Sequence, residues 1–216
     1  ALSKLGSEVT VIEGMDSILA IMDKEIRRPL EIWLKKNKVT VHTNALARGS
    51  KIKGKGASSK VELTFEKDSE EHKITVDKVL VTVGRSPNSK GWGLENMGIR
   101  MDTSGRFIRI DRQCRTSAPG VYAIGDVAGE PMLAHKASAQ GEMVAEIISG
   151  EKREFDKVAI PAIVFTEPEI VSVGITPDEA RERGEEIITG KFPLAANGRA
   201  LTLEAEKTGG FIRVTA

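Results

Sequence analysis

The sequence predicts an α/β fold, and three observations predict it. Val9-Thr10-Val11-Ile12 is a β-branched, almost wholly apolar run of the kind that forms a strand covered on both faces. Asp23 to Asn37 follows with Ile26, Leu30, Trp33 and Leu34 at helical spacing, and Lys38 to His42 then starts another strand, giving β–α–β order. Farther on, the strand Gly120 to Ile124 hands over to Gly125-Asp126 and then to a helix over Leu133 to Ile148, stopped by Gly150.

The remaining elements read off in order. Ala1 to Leu5 looks like the end of a helix, with Gly6 at the position just past it. Glu13 closes the first strand. Pro29 sits inside the Asp23–Asn37 helix and removes one of its hydrogen bonds. Lys51 to Gly56 reads as a solvated basic loop, because it lacks the GK[ST] ending of a phosphate-binding loop. Val61 to Phe65 and Lys73 to Val76 pair as an antiparallel hairpin across the charged turn Glu66 to Glu71. Lys78 to Val83 is an apolar strand ending in Gly84-Arg85-Ser86-Pro87-Asn88, a run that breaks regular structure. Phe107 to Ile110 is a short strand, and Ile160 to Phe165 and Ile170 to Val173 flank a turn. Thr176-Pro177-Asp178-Glu179 starts a helix with a capping box. Phe192 to Arg199 is an irregular link, and Gly209 to Val214 a strand that stops with the sequence.

Composition excludes several classes. The 216 residues carry 32 Lys+Arg against 31 Asp+Glu, a net charge of +1, without the basic excess of a nucleic-acid binder. The content, 40% hydrophobic and 29% charged, is that of a globular chain. No apolar run approaches the roughly 20 residues of a membrane span. No signal-peptide pattern opens the sequence, so a cytoplasmic location is expected. One cysteine, Cys114, leaves no pair for an internal disulfide or for dithiol chemistry, and reads as a structural or solvent-facing thiol. His42, His72 and His135 have no metal-ligand spacing, so no metal site is expected.

Four places bear on chemistry. A strand ending in an acid is half of a dinucleotide-binding signature, so Glu13 is placed to accept hydrogen bonds from an adenosine ribose, favouring NAD over NADP. A solvated strand-end carboxylate gives the same residue. The Gly-rich turn that completes the signature belongs about 20 residues upstream, ahead of Ala1, so a truncated chain is expected. Gly84, after an apolar strand, suits close approach of a ligand to backbone, or an ordinary turn. Asp126 can accept from a sugar-alcohol chain, and Met132-Leu133-Ala134-His135 opens a helix whose N–H groups suit an anion or an electron-rich carbonyl such as that of a reduced flavin. A plain strand–helix link with a surface Asp is the alternative. His135 faces the flavin or caps the helix, and no partner nucleophile marks it as a catalytic base.

Taken together, these runs resemble the flavin-dependent pyridine nucleotide–disulfide oxidoreductases along the whole chain. Leu5 to Glu13 is similar to the family's second NAD-domain strand, Val81 to Asn88 to its nucleotide-side strand and crossover, and Thr116 to Val127 to its second flavin motif. Met132-Leu133-Ala134-His135-Lys136-Ala137 discriminates within the family, because the glutathione reductase branch has a threonine–proline sequence there. Ile160 to Gly174 and Ala195 to Ala200 resemble the opening of its dimer-interface domain. The resemblance implies a partial Rossmann-like NAD domain over 1–87, a central FAD-contacting segment over 88–154 and the start of an α+β interface domain over 155–216. It implies FAD contacts at Asp126, Met132, Leu133, Ala134 and His135, NAD contacts at Glu13, Ala45 and Gly84, and no catalytic residue within the chain. It further implies a homodimeric parent that reoxidises dihydrolipoyl groups on the acyltransferase of 2-oxo acid dehydrogenase complexes, through a disulfide and FAD to NAD. A mercuric reductase-like or NADH oxidase-like branch and a non-catalytic nucleotide-fold scaffold stand as alternatives. The family's cysteine pair, Gly-rich turns and C-terminal His-Glu dyad are not among these residues, so the chain alone is expected to be inactive.

Overall fold

In the computed structural model, which describes residues 1–156, 159–204 and 209–216, Thr10–Ile12 (β1) and Thr40–His42 (β2) pair in parallel, Thr10 opposite Thr40 and Ile12 opposite His42. Lys24–Lys36 (α1) makes the crossover, as parallel pairing requires. Asp23 caps this helix by accepting from the Glu25 N–H at 2.8 Å, and Leu30 is its buried residue. The helix runs on through Pro29 to Lys36. The expected leading helix is a single 3₁₀ turn, Leu2–Leu5, closed by Gly6.

Ala45–Lys53 (β3), Lys60–Lys67 (β4) and Glu70–Val76 (β5) form an antiparallel sheet in that order. The β4–β5 turn narrows to Asp68-Ser69, both at positive φ (54° and 64°), the geometry that matches strand twist in a two-residue hairpin. Phe65 of β4 is buried between the rings of His42 and His72, at centroid distances of 5.1 and 5.3 Å. The basic stretch expected as a loop instead continues β3 to Lys53. Its exposed polar side chains hide a strand whose partner is β4, and Lys53 pairs with Glu62.

Ala1–Val81 and Pro161–Ala216 together form one compact unit; Thr82–Ile160 forms a second. In the first unit, Ala162–Val164 (β6) and Ile170–Ser172 (β7) make a hairpin. Pro177–Glu182 (α3) carries the expected capping box on Thr176 and Glu179. The expected irregular link is in fact ordered: Thr189–Pro193 (β8) pairs antiparallel with Phe211–Thr215 (β9), and Gly198–Thr202 (α4) is capped by Asn197. The pairing that makes β8 a strand lies 18 to 26 residues away in sequence, out of reach of local pattern. Arg213 of β9 joins this segment to α1. Its guanidinium lies 3.0 Å from the Asp23 carboxylate and 2.8 Å from that of Glu25, while Lys191 of β8 reaches Glu25 at 2.6 Å.

The second unit holds little regular sheet. The strands expected at Phe107–Ile110 and Gly120–Ile124 are single bridges, Met101 to Ile108 and Arg115 to Tyr122. Lys78–Val83 is not a strand either, and Val83 is 95% exposed. An apolar β-branched run becomes a strand only beside another, and none of the described residues lies in a ladder with it. One core gathers Leu94, Ile99, Ile108 and Ala123; another gathers Cys114, Met143, Val144 and Ile147. Cys114 is 0% exposed, so the thiol is structural rather than solvent-facing. Burial, with the nearby Asp111 carboxylate, pushes its pKa up. Ala134–Ile148 (α2) supplies the second core. No helix among the described residues is long and apolar enough to cross a membrane.

Burial alone would raise the Asp23 carboxyl, but hydrogen bonds from Arg213 and from the Glu25 N–H hold it below its ordinary value; Lys191 and Arg213 do the same for Glu25. A carboxylate depressed on folding stabilises the fold fully above its ordinary value, 3.8 for Asp23 and 4.5 for Glu25. That contribution fades as the pH falls toward the lower folded value. Arg213→Met is therefore expected to cost about 2 kcal/mol in urea unfolding at neutral pH. The difference from wild type should close as the pH drops below the ordinary carboxylate range.

Candidate functional site

Chain geometry around Asp126 is set by glycine and by α2. Residues Gly125–Ala128 form a 3₁₀ turn that begins at φ +74° on Gly125. A Cβ added at Gly125 would stand 3.1 Å from the Cβ of Ala137 on α2. Both the backbone angle and the close approach therefore require glycine. The Gly125 N–H donates to Gln140 Oε1 at 2.9 Å, and Lys136 Nζ donates to the Gly129 carbonyl. Asp126 is left at the surface with its side chain 37% exposed and Arg85 at 3.5 Å.

The start of α2 departs from the other helices. Asp23, Thr176 and Asn197 each accept a backbone N–H at the start of α1, α3 and α4. At α2 the capping position is Leu133, which has no oxygen to offer and makes no side-chain cap. Met132 N–H is taken by Glu130 Oε2 at 3.2 Å and Leu133 N–H by the Pro131 carbonyl at 3.0 Å. The first turn of the helix, Ala134 to Lys136, thus presents its dipole end without a capping side chain. Burial pulls the Lys136 ammonium below the usual lysine value, against the opposing pull of Asp126 and Glu130.

In the first unit, Glu13 and Ala45 are brought together. The Glu13 N–H donates to His42 O at 2.8 Å, and the Glu13 carbonyl accepts from the Ala45 N–H at 2.9 Å. The half-buried Glu13 carboxylate accepts from the Met15 N–H at 2.9 Å, so it folds over its own turn. A Cβ added at Gly14 in that turn would stand 3.0 Å from the Leu46 side chain. Ala45 is 1% exposed. A cleft of about 550 Å³ lies alongside, lined by Asp16, Ile18, Leu34, Lys38, Val41 and Thr43, and includes neither Glu13 nor Ala45. Gly84 belongs to the second unit, at φ +132°, and its neighbour Arg85 is the residue paired with Asp126. No group of three or more His, Cys, Asp or Glu side chains among the described residues is arranged to hold a metal.

Arg85, Lys136 and Gln140 escaped sequence reasoning. The last two had a signal. The buried positions of α2 are 136, 140, 143, 144 and 147, one helical stripe, and two polar residues on an otherwise apolar stripe mark a buried polar contact.

A carboxylate beyond a glycine turn, next to a helix start without a capping side chain, is the arrangement that this α/β protein presents. The chain belongs to the pyridine nucleotide-disulphide oxidoreductase family, whose profile matches residues 1–141, and the family's dimerisation-domain profile matches residues 160–216. It is 46% identical over 216 residues to the dihydrolipoyl dehydrogenase of Pseudomonas aeruginosa and 46% over 215 residues to that of Bacillus subtilis. These alignments take in 100% and 99% of this chain and 44% of each relative, so the chain spans less than half the length of those relatives. Among solved structures it resembles LpdA from Mycobacterium tuberculosis, with a TM-score of 0.82, 30% identity and coverage of 99% of this chain and 45% of that one. It also resembles the HOCl-induced flavoprotein disulfide reductase RclA from Escherichia coli, with a TM-score of 0.82, 27% identity, and 99% and 47% coverage.

Gly125→Ala is expected to lose about 1–3 kcal/mol of stability, from positive φ and the contact with Ala137 together. Gly129→Ala has nothing within 4 Å of the added Cβ but sits at φ 118° and ψ 172°, a region essentially confined to glycine, and should lose at least as much from backbone strain alone. Urea unfolding of the two variants side by side checks the order.

Proposed function

We propose that this chain is the middle portion of a dihydrolipoyl dehydrogenase, an oxidoreductase that reoxidises dihydrolipoyl groups with NAD as the electron acceptor. The observation that carries the reading is the exposed Asp126 carboxylate held beside the uncapped start of α2. The 41–46% identity to dihydrolipoyl dehydrogenases supports that branch over a mercuric reductase-like one or a scaffold.

The residues present fit FAD. Asp126 offers two acceptor oxygens to the hydroxyls of a ribityl chain, and Gly125 puts no side chain in the way. Met132 to His135 lead into the positive dipole end of α2, suited to negative charge gathering on a reduced ring. When bound, FAD supplies the two-electron chemistry between a dithiol and a nicotinamide. Glu13 binds the adenosine ribose of NAD and repels a 2′-phosphate, Ala45 lines the adenine pocket, and Gly84 offers its backbone to NAD. With one cysteine in 216 residues, the disulfide that accepts the substrate's electrons is contributed from outside this chain. In this reading residues 1–87 serve NAD binding, 88–154 serve FAD binding and 155–216 serve dimerisation. The working protein is a cytoplasmic homodimer whose partner is the lipoyl-bearing acyltransferase of a 2-oxo acid dehydrogenase complex.

Full-length protein should show a flavin absorbance that bleaches with dihydrolipoamide and should reduce NAD at its expense; a full-length protein without flavin sinks the reading. Asp126→Ala should lower flavin content several-fold at unchanged fold, and Glu13→Arg should move nucleotide preference toward NADPH, both read by spectroscopy and steady-state rates. Purified residues 1–216 should reduce no NAD with dihydrolipoamide.

A further inference from the structure

Lys136 and Gln140 are 4% exposed each, and both are polar. They stand four positions apart on α2, so they face the same way. Their heads meet opposite ends of one turn. Gln140 Oε1 accepts from the N–H of Gly125, where the turn begins, and Lys136 Nζ donates to the carbonyl of Gly129, the residue that follows it. The two contacts are complementary in sense: one side chain accepts where the turn donates, and the other donates where the turn accepts. Between them Ala137 closes to within 3.1 Å of where a Gly125 Cβ would stand. Met143, Val144 and Ile147 continue the same stripe as plain core. Packing alone would be better served by apolar side chains at 136 and 140, since a buried ammonium is expensive to desolvate.

What the pair accomplishes is mechanical. The turn it grips carries Asp126, and the helix it projects from begins at Ala134, two residues before Lys136. We propose that Lys136 and Gln140 are positioning residues for the flavin, locking the Asp126 turn to the start of α2 so that carboxylate and helix end present one preset site. Neither side chain touches the flavin in this role. The inference rests on the flavin reading above.

The test uses FAD-loaded, full-length protein and the variants Lys136→Met, Gln140→Leu and Gln140→Glu. The readouts are the FAD dissociation constant from flavin fluorescence, the position of the visible flavin band, and the thermal midpoint. Lys136→Met and Gln140→Leu should each bind FAD about tenfold more weakly, with a shifted band. Gln140→Glu keeps an oxygen for the Gly125 N–H and should stay within about twofold of wild type. Variants that melt earlier yet keep wild-type affinity and band position, measured well below their midpoints, overturn the proposal. If Lys136→Met does not fold, the contrast between Gln140→Leu and Gln140→Glu decides. Wild-type protein that holds no FAD overturns the flavin reading itself, and that result is seen before any substitution is made.

Discussion

The second unit turns on the grip of α2 on the turn that follows Ile124. A 3₁₀ turn of four residues has almost no hydrogen bonding of its own, and this one belongs to no sheet, though its Val127 carbonyl accepts from the Ile108 N–H at 2.7 Å. Its shape comes from outside: an amide of Gln140 at one end, an ammonium of Lys136 at the other, and a methyl of Ala137 against the bare Cα of Gly125. Remove glycine and the methyl collides; remove the polar heads and the buried N–H and C=O lose their partners. Asp126 therefore stays at the surface because its neighbours are the ones held inside. The orientation of α2 then follows from its other half, where Met143, Val144 and Ile147 pack on Cys114 with Tyr122 and Phe155 alongside.

The first unit is tied together mainly by ion pairs. Parallel pairing of β1 and β2 covers only three residues a side, and the antiparallel β3–β4–β5 sheet is stitched at its rim by Arg48–Glu66, Lys53–Glu62 and Lys60–Asp77. Exposed pairs of this kind contribute little each. The Arg213–Asp23 pair differs, with side chains only 13% and 8% exposed, and it ties residues from the two ends of the chain into one body.

Local pattern made some of this legible and left some dark, for identifiable reasons. The Thr176 capping box, the β4–β5 hairpin and α2 follow from contacts between near neighbours in sequence, and the β1–α1–β2 order follows from the pattern of each element. Lys78–Val83 was misread because strand propensity describes a side chain's fit to a sheet, and sheet membership is decided by another segment. Ala45–Lys53 and Thr189–Pro193 escape local pattern for the opposite reason: their residues are mostly exposed, and pairing with another strand makes them strands. At the site, glycine spacing and the acid at a strand's end pointed to Asp126 and Glu13. Lys136 and Gln140 stayed hidden because amphipathic reading assigns polar residues to solvent, and here the polar residues are on the covered face.

One carboxylate oxygen of Asp23 serves two masters at once, accepting from the Glu25 N–H at 2.8 Å and from Arg213 at 3.0 Å. These two donors are separated in time as well as in sequence. The N–H is present two residues after Asp23 is made, whereas the guanidinium follows 190 residues later. At synthesis rates of about 5–20 residues per second, that interval is on the order of ten to forty seconds. Until Lys191 and Arg213 have been made, α1 can be capped while its carboxylates at 23 and 25 lack these cations. The start of α1 is therefore an acidic helix end made early, and its docking with β9 waits until Arg213 has been made.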